Sequence, residues 1–211
     1  MENIIVAGVG PGSGAYLTKA CIEAAEQADI LVGGSRQLAL FSHLNIEKHV
    51  ITADLDKPIA YIAEQSLAGK KVVVLASGDP GFYGILATLK HRLPGFNIQV
   101  LPGVSSVQLA CARLGLSWHD AFLTSCHGRD YAHLIEAVKK HYTVITLTDP
   151  RHNPVKLARI LVNEGVAKRK VYVACRLSYP DELISSTSLE QLAAFTDWRE
   201  NNCVMVIVNE A

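Results

Sequence analysis

The chain has 211 residues, 49% of them hydrophobic and 19% charged, which suits one large or two small packed domains and leaves little room for disorder. Its 20 basic and 20 acidic residues cancel, which argues against a general nucleic-acid binder and means that an anionic ligand has to be met by a local patch. No stretch approaches the roughly 18 apolar residues of a membrane span, and Met1-Glu2-Asn3-Ile4-Ile5 does not open a signal peptide, so a cytoplasmic protein with no membrane partner is expected.

In chain order, apolar runs that read as buried strands alternate with helix-like periods. The first strand candidate is Ile4 to Val9, running into Gly8-Val9-Gly10-Pro11-Gly12-Ser13-Gly14. A dinucleotide-binding reading of this loop fails. Ser13 stands where Gly-x-Gly-x-x-Gly needs glycine, Pro11 has no N–H for a phosphate, and the next strand candidate, Ile30 to Val32, runs into Gly33-Gly34 without an acidic residue. Between these strands, Thr18 to Ala28 keeps Cys21, Ala24, Ala25 and Ala28 on one helical face, and further on Ile59, Ile62, Ala63 and Leu67 do the same.

The strand Val72 to Ala76 ends in Ser77-Gly78-Asp79-Pro80-Gly81-Phe82. This puts a carboxylate and tight backbone at the carboxyl edge of a sheet, where open α/β sheets bind ligands. Asp79 there either meets a ligand or caps a helix starting near Phe82. The strand Ile98 to Leu101 leads into Pro102-Gly103-Val104-Ser105-Ser106, whose serines are placed to cap a helix through Leu109 and Ala110.

A boundary is expected near Leu114 to Asp120, giving α/β domains over 1–115 and 116–211. Beyond it, Ala121 to Cys126, Thr143 to Leu147, Val171 to Ala174 and Val204 to Val208 read as strands, and Glu182 to Thr187 as an extra strand open to an antiparallel placement. Asn153-Pro154 starts a helix carrying Leu157, Ile160 and Leu161, and Thr187-Ser188-Leu189-Glu190 fits a capping box. Alternating strands and helices with short loops predict an α/β architecture. Cys21, Cys111, Cys126, Cys175 and Cys203 are odd in number and widely spaced, so neither a disulfide framework nor a zinc site is expected, and the eight histidines show no protein-held metal pattern.

The three strand-end loops at Gly8 to Gly12, Gly78 to Phe82 and Pro102 to Ser106, in this order, resemble the tetrapyrrole methylase family, and the resemblance runs over essentially the whole chain. It implies two α/β domains with S-adenosylmethionine in the cleft between them. It also implies cofactor contacts at Val9, Gly78, Asp79, Phe82, Ser105 and Ser106, and in the second half at Leu147, Thr148, Leu177 and Cys203. Pro11 and Gly12 would lie near the tetrapyrrole.

Val32 to Leu38, Ser125-Cys126-His127-Gly128-Arg129 and Leu177 to Glu182 resemble the branch that methylates C5 of precorrin-7 or cobalt-precorrin-7 in corrin synthesis. His127, Arg129 and Arg176 would then bind the substrate's carboxylates, with Arg36 and Arg151 as further candidates. Without the resemblance, a turn at Gly128 between solvated His127 and Arg129 is the favoured reading. In some relatives this domain is fused to one that methylates C15 and removes a carboxyl group. Here a separate protein is expected to supply that step, and a homodimer is expected. The alternatives are a sibling enzyme acting on another position or substrate, and a non-enzymatic nucleotide-binding module. Methyl transfer from a sulfonium is chiefly a matter of orientation, so no catalytic base is assigned.

Overall fold

A computed structural model describes residues 4–52, 54–166 and 168–209. The chain divides into two units, Met1–Ser105 and Ser106–Ala211. In the first, β1 (Ile4–Gly8), β2 (Ile30–Gly33), β3 (Glu47–Val50), β4 (Val72–Ala76) and β5 (Ile98–Leu101) form a parallel sheet in the order β3-β2-β4-β1-β5. The three central strands are buried along their whole length, as a sheet covered on both faces requires.

Alternate residues serve opposite faces of this sheet. Ile5, Ala7, Leu31, Val73 and Leu75 pack with Cys21, Ala24 and Ala25 of α1 (Lys19–Glu26) and Leu38 of α2 (Ser35–Ala39). Ile4, Val6, Ile30, Val32, Val72 and Val74 pack with Ile59 and Ile62 of α3 (Asp56–Leu67) and Leu89 of α4 (Leu86–Arg92). Sequence periodicity missed β3, because Glu47-Lys48-His49-Val50 has no apolar alternation. It is an edge strand whose His49 ring stacks on Tyr61 at 4.2 Å, and the Tyr61 hydroxyl donates to the Glu47 carboxylate.

The second unit begins with α5 (Ser106–Leu114), which lies against the last strand of its sheet, whereas the sequence reading put these residues with the first domain. There follow β6 (Phe122–Ser125), α6 (Ala132–Lys140), β7 (Thr143–Leu147), α7 (Pro154–Asn163), β8 (Arg169–Cys175), β9 (Leu183–Ser188), α8 (Leu189–Ala193) and β10 (Cys203–Asn209). The strand order is β6-β7-β10-β8-β9. β6 and β7 are parallel, β10 runs antiparallel to both β7 and β8, and β9 is antiparallel to β8.

Leu134 and Val138 of α6, Leu157 and Leu161 of α7, and Leu189 and Leu192 of α8 cover this sheet in one cluster. Asn153 caps α7 through Lys156 N–H at 2.9 Å, with Pro154 in the first turn. The capping box of α8 falls one residue later than expected, on Ser188 and Gln191, because the first helical residue is Leu189.

One cysteine expectation is corrected: Cys175 and Cys203 are disulfide-bonded, and Cys21, Cys111 and Cys126 are free. The two lie 28 residues apart in sequence, and only the register of β8 against β10 makes them partners. Among the described residues no helix is long and apolar enough to cross a membrane.

Candidate functional site

Two clusters of loops carry the residues singled out in the sequence, one at the carboxyl edge of each sheet. In the first unit β1 and β4 are neighbours whose onward connections leave in opposite directions, β1 toward β2 and β4 toward β5. This is a topological switch point, the place where parallel sheets open a ligand crevice. The loops meeting there are Gly8 to Gly12 and Ser77 to Phe82, with Pro102 to Ser106 beside them after β5.

These loops touch main chain to main chain. Gly10 N–H donates to the Gly78 carbonyl at 3.3 Å, and Gly78 N–H to the Gly10 carbonyl at 2.8 Å. A Cβ at Gly8 would sit 2.5 Å from Gly78 O and 2.6 Å from Gly103 N, and one at Gly103 would sit 2.2 Å from Gly78 O. Glycine at 8 and 103 therefore answers to loop packing and not to a phosphate. Gly10, at φ 76, also needs glycine for its backbone.

Asp79 ties the arrangement together. Its Oδ1 accepts Gly81 N–H at 2.8 Å and its Oδ2 accepts Gly103 N–H at 3.2 Å, a link between the loops after β4 and β5. The helix-cap reading of Asp79 does not hold, because residues 80–84 form turns and α4 starts only at Leu86. Each carboxylate oxygen takes one N–H, so acceptor capacity remains for a ligand donor or cation.

Phe82 is half-buried, edge-on to Tyr83 at 5.0 Å, and Tyr83 has φ 52. Pro11 and Gly12 are half-buried, and Ser105 is 7% exposed. Val9 differs from its neighbours: its side chain lies in the core and its N–H donates to Ala76 O at 2.9 Å, so a contact from it would come through the main chain.

In the second unit the ends of β6, β7 and β8 and the start of β10 share one edge. Thr148 joins two of them, since its N–H and its hydroxyl both donate to the Cys203 carbonyl, at 3.1 and 2.8 Å. The loop Cys126-His127-Gly128-Arg129 is held from beneath by Asp149. The Asp149 carboxylate accepts Gly128 N–H at 2.7 Å and His152 N–H at 2.6 Å. Burial works to raise the Asp149 carboxyl, but the backbone N–H groups of Gly128, His152 and Arg151, with the His152 ring, hold it below its ordinary value.

His127 Nδ1 is 3.2 Å from the Thr148 carbonyl, and His152 Nδ1 is 3.2 Å from the Cys126 carbonyl. Asp149 and His152 show their role as supports of this loop only in the structure. The one sequence signal for them is Thr148-Asp149-Pro150, an Asp before proline at a strand end, which marks a side-chain-capped turn.

Arg176 is occupied. Its guanidinium pairs with Asp181 at 2.6 Å and with Glu200, and also donates to the Asp181 carbonyl. It staples the loop after β8 to the segment before β10, so we do not carry it forward as a substrate cation. Leu177 is 3% exposed, Leu147 is half-buried, and Ser106 is the first residue of α5. Cys203 spends its sulfur in the disulfide and its carbonyl on Thr148. Arg129, Arg151 and Arg36 are exposed. Among the described residues no group of three His, Cys, Asp or Glu side chains is placed to hold a metal ion.

The family model described as tetrapyrrole (corrin/porphyrin) methylases matches residues 3–193. A cobalt-precorrin-7 C(5)-methyltransferase of Salmonella typhimurium is 37% identical over 181 residues, covering 86% of this chain and 88% of its own. A decarboxylating precorrin-6Y C(5,15)-methyltransferase of a Sinorhizobium species is 34% identical over 188 residues, which is 87% of this chain but 44% of that one. The crystal structure of a cobalamin-biosynthesis precorrin-6Y methylase from Archaeoglobus fulgidus matches the fold with a TM-score of 0.78 at 22% identity, covering 100% of both chains.

Proposed function

Because the chain belongs to the tetrapyrrole (corrin/porphyrin) methylase family, we propose that it is an S-adenosylmethionine-dependent C-methyltransferase acting at C5 of cobalt-precorrin-7. Similarity to the Salmonella enzyme along most of both chains carries this reading. The chain spans less than half of the longer Sinorhizobium relative, whose name covers methylation at both C5 and C15.

The first-unit loops suit the cofactor. The half-buried Asp79 carboxylate keeps acceptor capacity beside main chain that side chains do not screen, a match for a ligand carrying an ammonium, a sulfonium and hydroxyls. When bound, the cofactor supplies a methyl group already activated on sulfur, with a neutral thioether as leaving group. Gly78, Asp79, Phe82 and Ser105 would hold it, and the glycine contacts fix their spacing.

In the second unit His127 and Arg129 would meet the acidic tetrapyrrole on a loop set by Asp149. The chain's task is to hold the reacting carbon in line with the methyl, for which orientation supplies most of the rate and no strong base is needed. Three free cysteines support a cytoplasmic setting, where the Cys175–Cys203 bond would have to form against a reducing poise. The family resemblance is the support for a homodimer.

The test is mass spectrometry of reactions supplied with S-adenosylmethionine and either cobalt-precorrin-7 or metal-free precorrin-7, with carbon NMR to place the new methyl. One methyl at C5 of the cobalt form is expected. A methyl at another carbon, or no product from either ring, would assign the chain elsewhere in the family.

A further inference from the structure

The proposed substrate exists as a cobalt ring and as a metal-free one, and the second unit has to tell the two apart. Both forms carry the same carboxylates and the same C5, so a group that touches the metal separates them most directly. His127 is built for that contact. A carbonyl oxygen has no proton to give, so the hydrogen bond between His127 Nδ1 and Thr148 O puts the proton on Nδ1 and leaves the lone pair on Nε2. The residue is exposed, and Nε2 has no hydrogen-bond partner among the described residues.

The main chain on both sides of the ring is fixed. His127 N–H donates to Ser125 Oγ at 3.2 Å, and the next residue, Gly128, donates to Asp149 at 2.7 Å. Thr148, whose carbonyl orients the ring, is 6% exposed and doubly bonded to Cys203. An imidazole with Nδ1–H held by a carbonyl and Nε2 facing outward is the arrangement that orients metal-binding histidines and raises their basicity. His152 has the same Nδ1 contact, but its side chain is only 18% exposed and its ring lies edge-on to Tyr131, so it acts as a support for the loop.

A cobalt ion ligated in plane by four ring nitrogens keeps axial positions open, and imidazole nitrogen is a good donor to late first-row metals. We infer that His127 Nε2 coordinates the substrate's cobalt as an axial ligand, and that this bond selects the metal-bearing ring over the metal-free one. The inference rests on the proposal that the chain binds a cobalt precorrin.

The experiment uses the full chain with S-adenosylhomocysteine, titrated with cobalt(II)-precorrin-7 and separately with metal-free precorrin-7. Electron paramagnetic resonance is recorded on the cobalt complex. The parent should favour the cobalt ring by about tenfold or more, the scale on which metal-site contacts change affinity. Its spectrum should show splitting from one axial nitrogen, altered when the protein carries 15N-histidine. In His127→Ala the splitting and the preference should both vanish. His152→Ala, if folded, should keep the nitrogen splitting.

A parent that binds both rings without axial nitrogen splitting, or a His127→Ala variant that keeps the preference, overturns the inference and leaves the substrate reading standing. A parent that binds neither ring overturns both.

Discussion

Gly103→Ala tests the packing of the first-unit loops. The new Cβ would lie 2.2 Å from Gly78 O, 2.7 Å from Gly8 C and 2.8 Å from Gly8 Cα, all main-chain atoms with no rotamer to yield. The loops would have to part by about 1 Å to reach ordinary contact. Overpacking of this kind costs about 1–3 kcal/mol. The same movement pulls Gly103 N–H from the Asp79 carboxylate, now 3.2 Å away, and a hydrogen bond to a charged group is worth about 1.5–3 kcal/mol.

Together the expected loss is about 2.5–6 kcal/mol. For a chain of this size that lowers Tm by roughly 5–24 °C. Gly14→Ala is the control, since the nearest atom to its Cβ is 4.0 Å away and it should stay within about 0.5 kcal/mol of the parent. Thermal unfolding followed by circular dichroism, with calorimetric titration of S-adenosylhomocysteine, reads both effects. If Gly103→Ala melts with Gly14→Ala and binds the ligand as the parent does, the three loops are not interlocked as described.

Reducing the Cys175–Cys203 bond removes a cross-link with sequence separation 28, worth about 3–4 kcal/mol through the unfolded chain, so the guanidinium midpoint should fall with reductant. Alkylation of the unreduced, denatured chain should count three thiols, and a count of five would withdraw this prediction. Asp149→Asn should destabilise the chain at neutral pH and converge with the parent in acid. The folded carboxyl titrates below its ordinary 3.8, so the stability it lends is complete above that value and is lost as pH falls through the lower folded one; parallel denaturation curves at pH 7 and pH 3 check it, and an equal gap at both would refute it. Arg176→Ala should lower Tm with little change in KM for the tetrapyrrole, because its partners are Asp181 and Glu200, whereas Arg129→Ala should raise that KM at low salt. Steady-state kinetics and melting curves on both variants separate the roles, and a reversal of the pattern would refute them.

The strands legible in the sequence were those buried on both faces, such as Val72 to Ala76, because only a continuous apolar run fits between two helical layers. The edge strand Glu47–Val50 was not, because half its surface is solvated and its partner Tyr61 is remote in sequence. The cap of α7 was legible because its Asn-Pro signal is local. In the site, the glycine loops stood out for their turn chemistry. Which glycines interlock depends on strand order, which no local pattern carries. Asp149 and Arg176 show the same limit. Their roles are set by main-chain groups and carboxylates brought near by sheet register, which no local sequence pattern shows.

The position of β10 has a consequence for how the protein is made. The last strand of the chain order lies in the middle of its sheet, paired with β7 on one side and β8 on the other. During synthesis the first unit has all five of its strands once residue 101 has emerged, and it can fold while the rest is still being translated. The second unit cannot. Until Cys203–Asn209 has left the ribosome, β7 and β8 expose facing edges with nothing between them, open to pairing with other chains. The nascent second half therefore has to be shielded until residues 203–209 have emerged, and products stalled or shortened before them are the species most exposed to aggregation.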